Sequence, residues 1–514
     1  MKKISLTLAL IMIVSACNTV STTQQPTASP SATSLIKPSS NPSISISPSI
    51  TPSPSITPSV IPTPSPQVTP NPTSTLEPRF KDLNKKNPLL LGIANIYQNV
   101  TSGDSLDYQR DIRDQNEYLN DIKPSFITVD LNQKLVNPLF DNKDMNWAYY
   151  DRMFEGLKDN KVEIVFKIKF TQIYTDKTSP TIANYQLFLE KLLERYQENN
   201  NISFVIGDKL NDPNSFPSSL NQRDFLNLLS ITYNTIRNKN KTAPIYLGSF
   251  QQAEILSGSR YNMIDDLLAF FNMGADKYCD GIILEVYNLA TDVSNPNKAT
   301  PFFETNYTLS KDYFDKVQEL LKIKNLTNKK LILQTGTFGG DIIENVKQET
   351  QQQANEIFKQ IIYSTALGFD RVMLPKFFDS SDKDPSFLFK KFGLVSIDNS
   401  SLEKKMSYWS IRFLLERLKN TTAISKITDL PANYEGYVFQ KDEKTKDYVI
   451  WNNDKNKTNS LDFEIDAKDA KVYILPTDSD RIGSSVSILA NAANKIRIDF
   501  NINPLGARII EVVK

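Results

Sequence analysis

Residues 162–210 read VEIVFKIKFTQIYTDKTSPTIANYQLFLEKLLERYQENNNISFVIGDKL. A short β-branched run, VEIVFKIKF (162–170), is followed by an amphipathic helical pattern, YQLFLEKLLERYQ (185–197), and then by a second short run, ISFVIGDKL (202–210). Strand, helix, strand at this spacing is one βα unit and predicts parallel pairing.

The unit repeats in both directions. Upstream lie LLLGIANI (89–96) and SFITVDL (125–131). Downstream lie APIYLGSF (243–250), DGIILEVY (280–287), KLILQT (330–335) and RVMLPKFF (371–378). Further amphipathic segments, RDFLNLLSITYNTI (223–236), YFDKVQELLKI (313–323) and ANEIFKQIIYSTAL (354–367), separate them. Eight such runs over about 330 residues predict a (β/α)8 TIM barrel with loop insertions, assigned to 79–420. A doubly wound open sheet is the competing arrangement, but no G-x-G-x-x-G follows the first run.

After SYWSIRFLLERL (407–418) the helices stop. EGYVFQK (435–441), DYVIWNN (447–453), KVYILP (471–476), SVSILA (485–490), KIRIDFNI (495–502) and ARIIEVV (507–513) follow one another directly. This predicts a small antiparallel, β-sandwich-like domain over 421–514 that packs against the barrel. Sugar binding is its alternative role.

Residues 1–17, MKKISLTLALIMIVSAC, carry Lys2 and Lys3 and then an apolar stretch too short to span a bilayer. The ending Val14-Ser15-Ala16-Cys17 resembles a bacterial lipobox. That resemblance implies lipidation of Cys17, with the chain anchored to a membrane in the cell envelope and facing outward. Residues 18–78 hold 14 of the 28 prolines, no glycine, and only Lys37 and Glu77 as charges. Such a stretch cannot bury enough apolar surface to offset its ordering entropy. It is expected to be a disordered tether reaching on the order of 190 Å at about 3.1 Å per residue.

Composition narrows the chemistry. The 514 residues include 59 Lys plus Arg, 58 Asp plus Glu, two cysteines and no histidine. Without histidine there is no Ser-His-Asp or Cys-His unit and no imidazole-ligated metal. Cys279 is the one cysteine of the folded part, so no disulfide or Cys-rich zinc site is expected there. Near-zero net charge argues against a nucleic-acid partner. No cofactor is called for, and chemistry falls to carboxylates, Lys, Tyr or hydroxyls.

Two stretches resemble the large superfamily of retaining glycoside hydrolases with (β/α)8 barrels. FITVDL…MNWAYYDRMFEGLKDNKVEIVFKI (126–168) resembles that group's second strand, following helix and third strand. ALGFDRVMLPKFFDSSDKDPSFLFKKFGLVSIDNSSLEKKMSYWSIRFLLERL (366–418) resembles its eighth strand, "fGL" element and last helix. The resemblance implies an oligo- or polysaccharide partner and two carboxylates, after strands four and seven, roughly 5–5.5 Å apart.

Both positions depart from the pattern. After strand four, the family's Asn-Glu-Pro aligns either with Asp208-Lys209, which puts lysine at the acid/base position, or with Asn211-Asp212-Pro213, which puts a shorter acid there and keeps the proline. Asp208 or Asp212 is the candidate proton donor; the competing role for each is a turn or helix N-cap. After strand seven, Gln334-Thr335-Gly336-Thr337 has no glutamate, and Asp341 and Glu344 are expected to begin the next helix. On strand six, Glu285-Val286-Tyr287 stands where the family often has His-x-Tyr. Glu285 is the candidate partner carboxylate, kept neutral if it faces the barrel mouth. Lys209, Asn211, Tyr287, Thr337, Phe377 and Phe378 are candidate sugar-binding residues, the two phenylalanines as stacking platforms, although strand alternation sends one of them into the core. Trp147, Trp409 and Trp451 read as core, and Cys279 as a buried, inert thiol.

Two readings stay open. One is a tethered glycosidase using Asp212 or Asp208 with Glu285. The other is a non-catalytic protein on a degenerate glycosidase barrel, either binding sugar or serving as a structural surface lipoprotein.

Overall fold

The computed structural model describes residues 89–513 apart from 95, 97–105, 138–144, 170–181, 197–200, 213–221, 253–261, 288, 292–298, 302–308, 338–339, 344–345, 349, 380–390, 399–400, 455–456, 478–482, 490–494 and 503–505. All described residues belong to one compact unit, Thr73–Lys514. The signal segment 1–17, with Cys17, and the tether 18–78 lie outside the described residues. No described helix is long and apolar enough to cross a membrane.

Each strand-like run of the barrel region becomes a strand: β1 Leu91–Ile93, β2 Phe126–Asp130, β3 Glu163–Ile168, β4 Ile202–Ile206, β5 Ile245–Gln251, β6 Gly281–Glu285, β7 Lys330–Gln334 and β8 Arg371–Leu374. All pair in parallel, and β1 closes the circle by pairing with both β2 and β8. Helices α1 Leu106–Ile122, α2 Ala148–Leu157, α3 Ile182–Tyr196, α4 Gln222–Lys239, α5 Met263–Asn272, α6 Leu309–Ile323, α7 Thr350–Leu367 and α8 Met406–Leu418 alternate with them. The fold is a TIM barrel. In α3 the apolar side chains recur at helical spacing, and Tyr185, Phe188, Leu189, Leu192, Leu193 and Tyr196 are all buried.

Asp341 is not at a helix start. It lies in a short antiparallel ribbon, Gly340–Ile343 with Val346–Gln348, and the helix begins at Thr350. The β-branched Ile342, Ile343 and Val346 favour the extended form there. Glu344 lies outside the described residues.

Beyond α8, eight strands follow: β9 Ala423–Lys426, β10 Tyr434–Gln440, β11 Thr445–Asn452, β12 Asn459–Asp466, β13 Asp469–Ile474, β14 Ser485–Leu489, β15 Lys495–Ile502 and β16 Ala507–Val513. Six form one antiparallel sheet in the order β9-β10-β11-β16-β13-β14, and β12 pairs with β15. Leu461, Ile465, Ile496 and Ile498 of that pair bury against Ile450, Val472, Ile510 and Val512 of the sheet, a small sandwich core. The other face of the sheet, with Tyr437, Trp451, Tyr473 and Ile509, shares a single core with the barrel helices.

Candidate functional site

The barrel interior is built in layers. Ala94, Phe126, Val165, Val205, Tyr246, Ile283, Ile332 and Met373 form one apolar cluster to which all eight strand positions contribute. Strand alternation then sends Thr128 and Asp130, Lys167 and Lys169, Glu285, and Gln334 to the same inner face nearer the C-terminal mouth.

β5 reaches the mouth by a break in its own alternation. Tyr246 faces inward, and the pairing with β6 slips between Leu247 and Ser249. An extra residue of this kind reverses which side chains point in. Ser249 and Gln251 therefore follow Tyr246 inward, while Phe250 joins the outer core. Gly248 makes this possible, since a Cβ there would lie 2.5 Å from Gly207 C and 2.9 Å from Asp208 N.

The chain after β4 folds back onto that bulge. Gly207 and Lys209 both have left-handed backbone, φ 95° and 49°. The Lys209 N–H donates to Ser249 Oγ at 2.9 Å, and the Leu210 N–H to Ser249 O at 2.7 Å. Asp208 is thereby brought to Lys167 (3.5 Å) and Lys169 (3.7 Å), which also hold Asp130 at 3.6 and 2.5 Å. Two lysines and two aspartates close a four-membered lattice. Burial alone disfavours the Asp208 anion, but Lys167, Lys169 and Lys209 together hold its carboxyl below the ordinary value. Burial likewise opposes the Lys167 charge, and Asp208, Asp130 and Glu285 outweigh it.

Glu285 is 2% exposed. Its burial raises its carboxyl above the ordinary range; Lys209 works against this and Asp208 with it. The Tyr287 hydroxyl donates to Glu285 Oε2 at 3.3 Å and accepts from Gln334 Nε2. Two reciprocal amide clamps tie the mouth loops together. The Asn211 side chain donates to Gln251 O at 2.6 Å and accepts from Gln251 N at 2.7 Å. The Gln252 side chain donates to Tyr287 O and accepts from Tyr287 N, both at 2.9 Å. Gln251 Oε1, and both amide atoms of Gln133 after β2, are buried without a hydrogen-bond partner among the described residues.

The candidates therefore divide. Asp208, Lys209, Glu285 and Tyr287 share one electrostatic network. Asn211 is buried as a clamp at its edge. Asp212 is half-buried, and its N–H closes a turn onto Lys209 O at 2.9 Å. Thr337 is buried, and its carbonyl accepts from Gln353 at 3.0 Å. Phe377 is fully buried among Tyr118, Phe378 and Tyr408, so it is a core residue and not a stacking platform. Phe378 remains partly exposed beside it. Just after β7 a Cβ on Gly336 would lie 2.9 Å from Pro375 Cδ, so a longer side chain there requires Pro375 to shift. Trp147 and Trp451 are buried and Trp409 is half-buried. The Cys279 thiol is buried, which pushes it up to about 12.

Sequence reasoning missed Asp130, Lys167, Lys169, Ser249, Gln251, Gln252 and Gln334. One signal was available. Lys167 and Lys169 stand two apart in an otherwise apolar strand, which puts two charges on one barrel face. The bulge that brings in Ser249 and Gln251 leaves no comparable mark.

No protein-family model and no curated protein matches the sequence. Solved structures do match in fold. A family 39 glycoside hydrolase from Bacteroides cellulosilyticus WH2 superposes with TM-score 0.56 at 15% identity, covering 83% of this chain and 81% of that one. A glucosidase from Croceicoccus marinus gives 0.57 at 12%, covering 84% and 96%. A GH30 endoxylanase from Clostridium papyrosolvens C71 gives 0.52 at 10%, covering 85% and 98%. The barrel is glycoside hydrolase-like in architecture.

Proposed function

We propose that this chain is a surface-tethered, carbohydrate-binding lipoprotein whose glycosidase-like barrel no longer hydrolyses. One observation carries the loss of hydrolysis. After β7, where the resemblance calls for a carboxylate nucleophile, stand Gly336, packed against Pro375, and Thr337, and neither alignment puts an acid there. The acids that remain at the mouth do not substitute well. Asp130 and Asp208 are each held by two lysines, so neither carboxylate can reach a substrate carbon without breaking those pairs. Sugar binding is supported by the fold it shares with carbohydrate-processing enzymes, and the amide oxygen of Gln251, buried near the mouth, has no hydrogen-bond partner among the described residues. The envelope location rests on the lipobox resemblance at Cys17 and the tether of 18–78.

A second reading keeps one specific observation in its favour. Glu285 is pushed toward its neutral form and Asp208 toward its anion, and a split of that kind is how carboxylate pairs divide acid and base roles. The two readings separate in one experiment. Residues 73–514, with Glu285→Gln and Asp208→Asn alongside, are assayed against a panel of aryl glycosides and oligosaccharides and titrated with the same oligosaccharides by calorimetry. Binding without turnover is expected, with affinity weakened about tenfold or more in Glu285→Gln, where the buried hydrogen bond to the Tyr287 hydroxyl is altered. Hydrolysis abolished by either substitution would establish the enzyme instead.

A further inference from the structure

The opposite pole of the barrel has an unusual charge pattern. All αβ connections lie at the N-terminal ends of the strands, away from the mouth. Two of them flank β6. The first is the end of α4 and the turn after it, RNKNK (237–241); the second is the end of α6 and the turn into β7, KIKNLTNKK (322–330). These two short segments hold seven cations and no acid, in a chain whose totals are 59 and 58.

The two segments meet in space. Arg237 and Lys241 from the first, Lys329 and Lys330 from the second, and Asp280 between them line one open cleft of about 370 Å³. Some of this charge is already engaged. Arg237 pairs with Asp280, Lys239 with Glu194, and Lys329 donates to the carbonyls of Asp276 and Cys279. Lys324 donates to the Asn272 side chain at 2.7 Å. Lys241, Lys322 and Lys330 are exposed and have no acidic partner among the described residues. Lysine in a last helical turn complements the helix dipole, which accounts for Lys239 and Lys322. It does not account for Lys241 or Lys330, which lie beyond the helices.

Ile323 stands between Lys322 and Lys324 and is 69% exposed, more than any other large apolar side chain among the described residues. A projecting isoleucine flanked by lysines does not suit a hydrated polyanion. It suits a surface with anionic headgroups above an apolar layer, where lysines hold the charge and the side chain enters the interface.

We propose that this pole docks on an anionic lipid bilayer through Lys241, Lys322, Lys324, Lys330 and Ile323. Docking this way faces the barrel mouth away from the membrane. The inference rests on neither the lipid anchor nor the sugar-binding reading, since the compact unit 73–514 carries the whole patch.

The test is co-sedimentation of residues 73–514 with phosphatidylglycerol-rich vesicles and with pure phosphatidylcholine vesicles, at low and high salt. Partition onto the anionic vesicles only is expected, falling as salt rises. The quadruple variant Lys241→Ala, Lys322→Ala, Lys324→Ala, Lys330→Ala is expected to weaken it at least about tenfold, since each lysine near an anionic surface adds to the attraction. Ile323→Ser is expected to remove the part that survives high salt. The control triple variant Lys444→Ala, Lys457→Ala, Lys468→Ala, all exposed on the sandwich, is expected to partition like the parent. No partition onto anionic vesicles, or equal losses from the control, would overturn the proposal. Binding of soluble polyphosphate at the pole without vesicle binding would reassign the surface to a polyanion.

Discussion

Asp447, on β11, has no exposed surface. Its Oδ2 lies 2.8 Å from Lys441 Nζ, which also holds Glu511 at 2.8 Å. Burial outweighs the lysine and pushes the carboxyl up to about 6, against 3.8 ordinarily. The sign follows from proton counting. Between pH about 4 and 6 the folded chain holds this proton and the unfolded chain does not, so stability falls as pH rises through that window. Above it the cost is constant, on the order of 2–3 kcal/mol. Asp447→Asn removes the ionisation and leaves Lys441 its bond to Glu511. Urea unfolding is expected to show the variant more stable than the parent at pH 8 by about 2 kcal/mol, with the gap closing below pH 4. A gap that is the same at both pH values would show that folding does not shift the Asp447 carboxyl. Other residues at this scale were legible in advance. Glu285, ending an apolar strand, is buried with its carboxyl raised, as its setting in the sequence suggested. Phe377 was one of two candidates that alternation could not separate, because the chain beyond Leu374 has left the regular strand.

At the scale of elements, patterning found what was strongly periodic. The eight barrel runs are short, apolar and β-branched, and each lies inside or around an observed strand. Several elements were missed, among them α1, α5, β9 and β12. α1, LDYQRDIRDQNEYLNDI, presents a sparse apolar stripe, with Ile112, Leu119 and Ile122 carrying its buried side. β12, NSLDFEID, alternates apolar residues with acids at strand period, so its signal was present in the sequence and was passed over. The β5 bulge was invisible for another reason. It depends on a tertiary contact, Gly248 against the Gly207–Asp208 backbone, and not on local propensity. Gly248→Ala tests how much of the mouth depends on it. A methyl 2.5 Å from a backbone carbon cannot be relieved by a side-chain rotation, so the strand or the loop after β4 must shift. A loss of about 2–3 kcal/mol is expected in urea unfolding, with weakened sugar binding because Asp208, Ser249 and Gln251 move together. A variant as stable as the parent would mean that the loop after β4 accommodates the methyl.

At the scale of the molecule, a division of the chain at 420/421 separates two topologies and leaves the sandwich a small core of its own, but it cuts through a larger core that both share. The division falls between α8 and β9, where the described chain is continuous. One hydrophobic cluster runs from Trp147 and Phe188 in the barrel to Tyr437, Trp451 and Ile509 in the sheet. Polar links cross the same boundary. Gln351 on α7 donates to Pro476 O at 3.3 Å, and Arg417 on α8 donates to the Tyr473 hydroxyl at 3.0 Å. Lys359 on α7 is buried, which lowers its ammonium, and it reaches Asn452 O at 3.5 Å. Removing the sheet would therefore expose the apolar face of α7 and α8 to water. Barrel and sandwich are expected to unfold together. In thermal unfolding of 73–514, far-ultraviolet ellipticity is expected to follow one transition coincident with tryptophan fluorescence, in the parent and in a Trp147→Phe variant that shifts the signal toward Trp451. The chain cut after residue 420 is expected to aggregate. Two resolved transitions, or a soluble truncated barrel with a cooperative transition of its own, would show that the shared core is an interface between independent units.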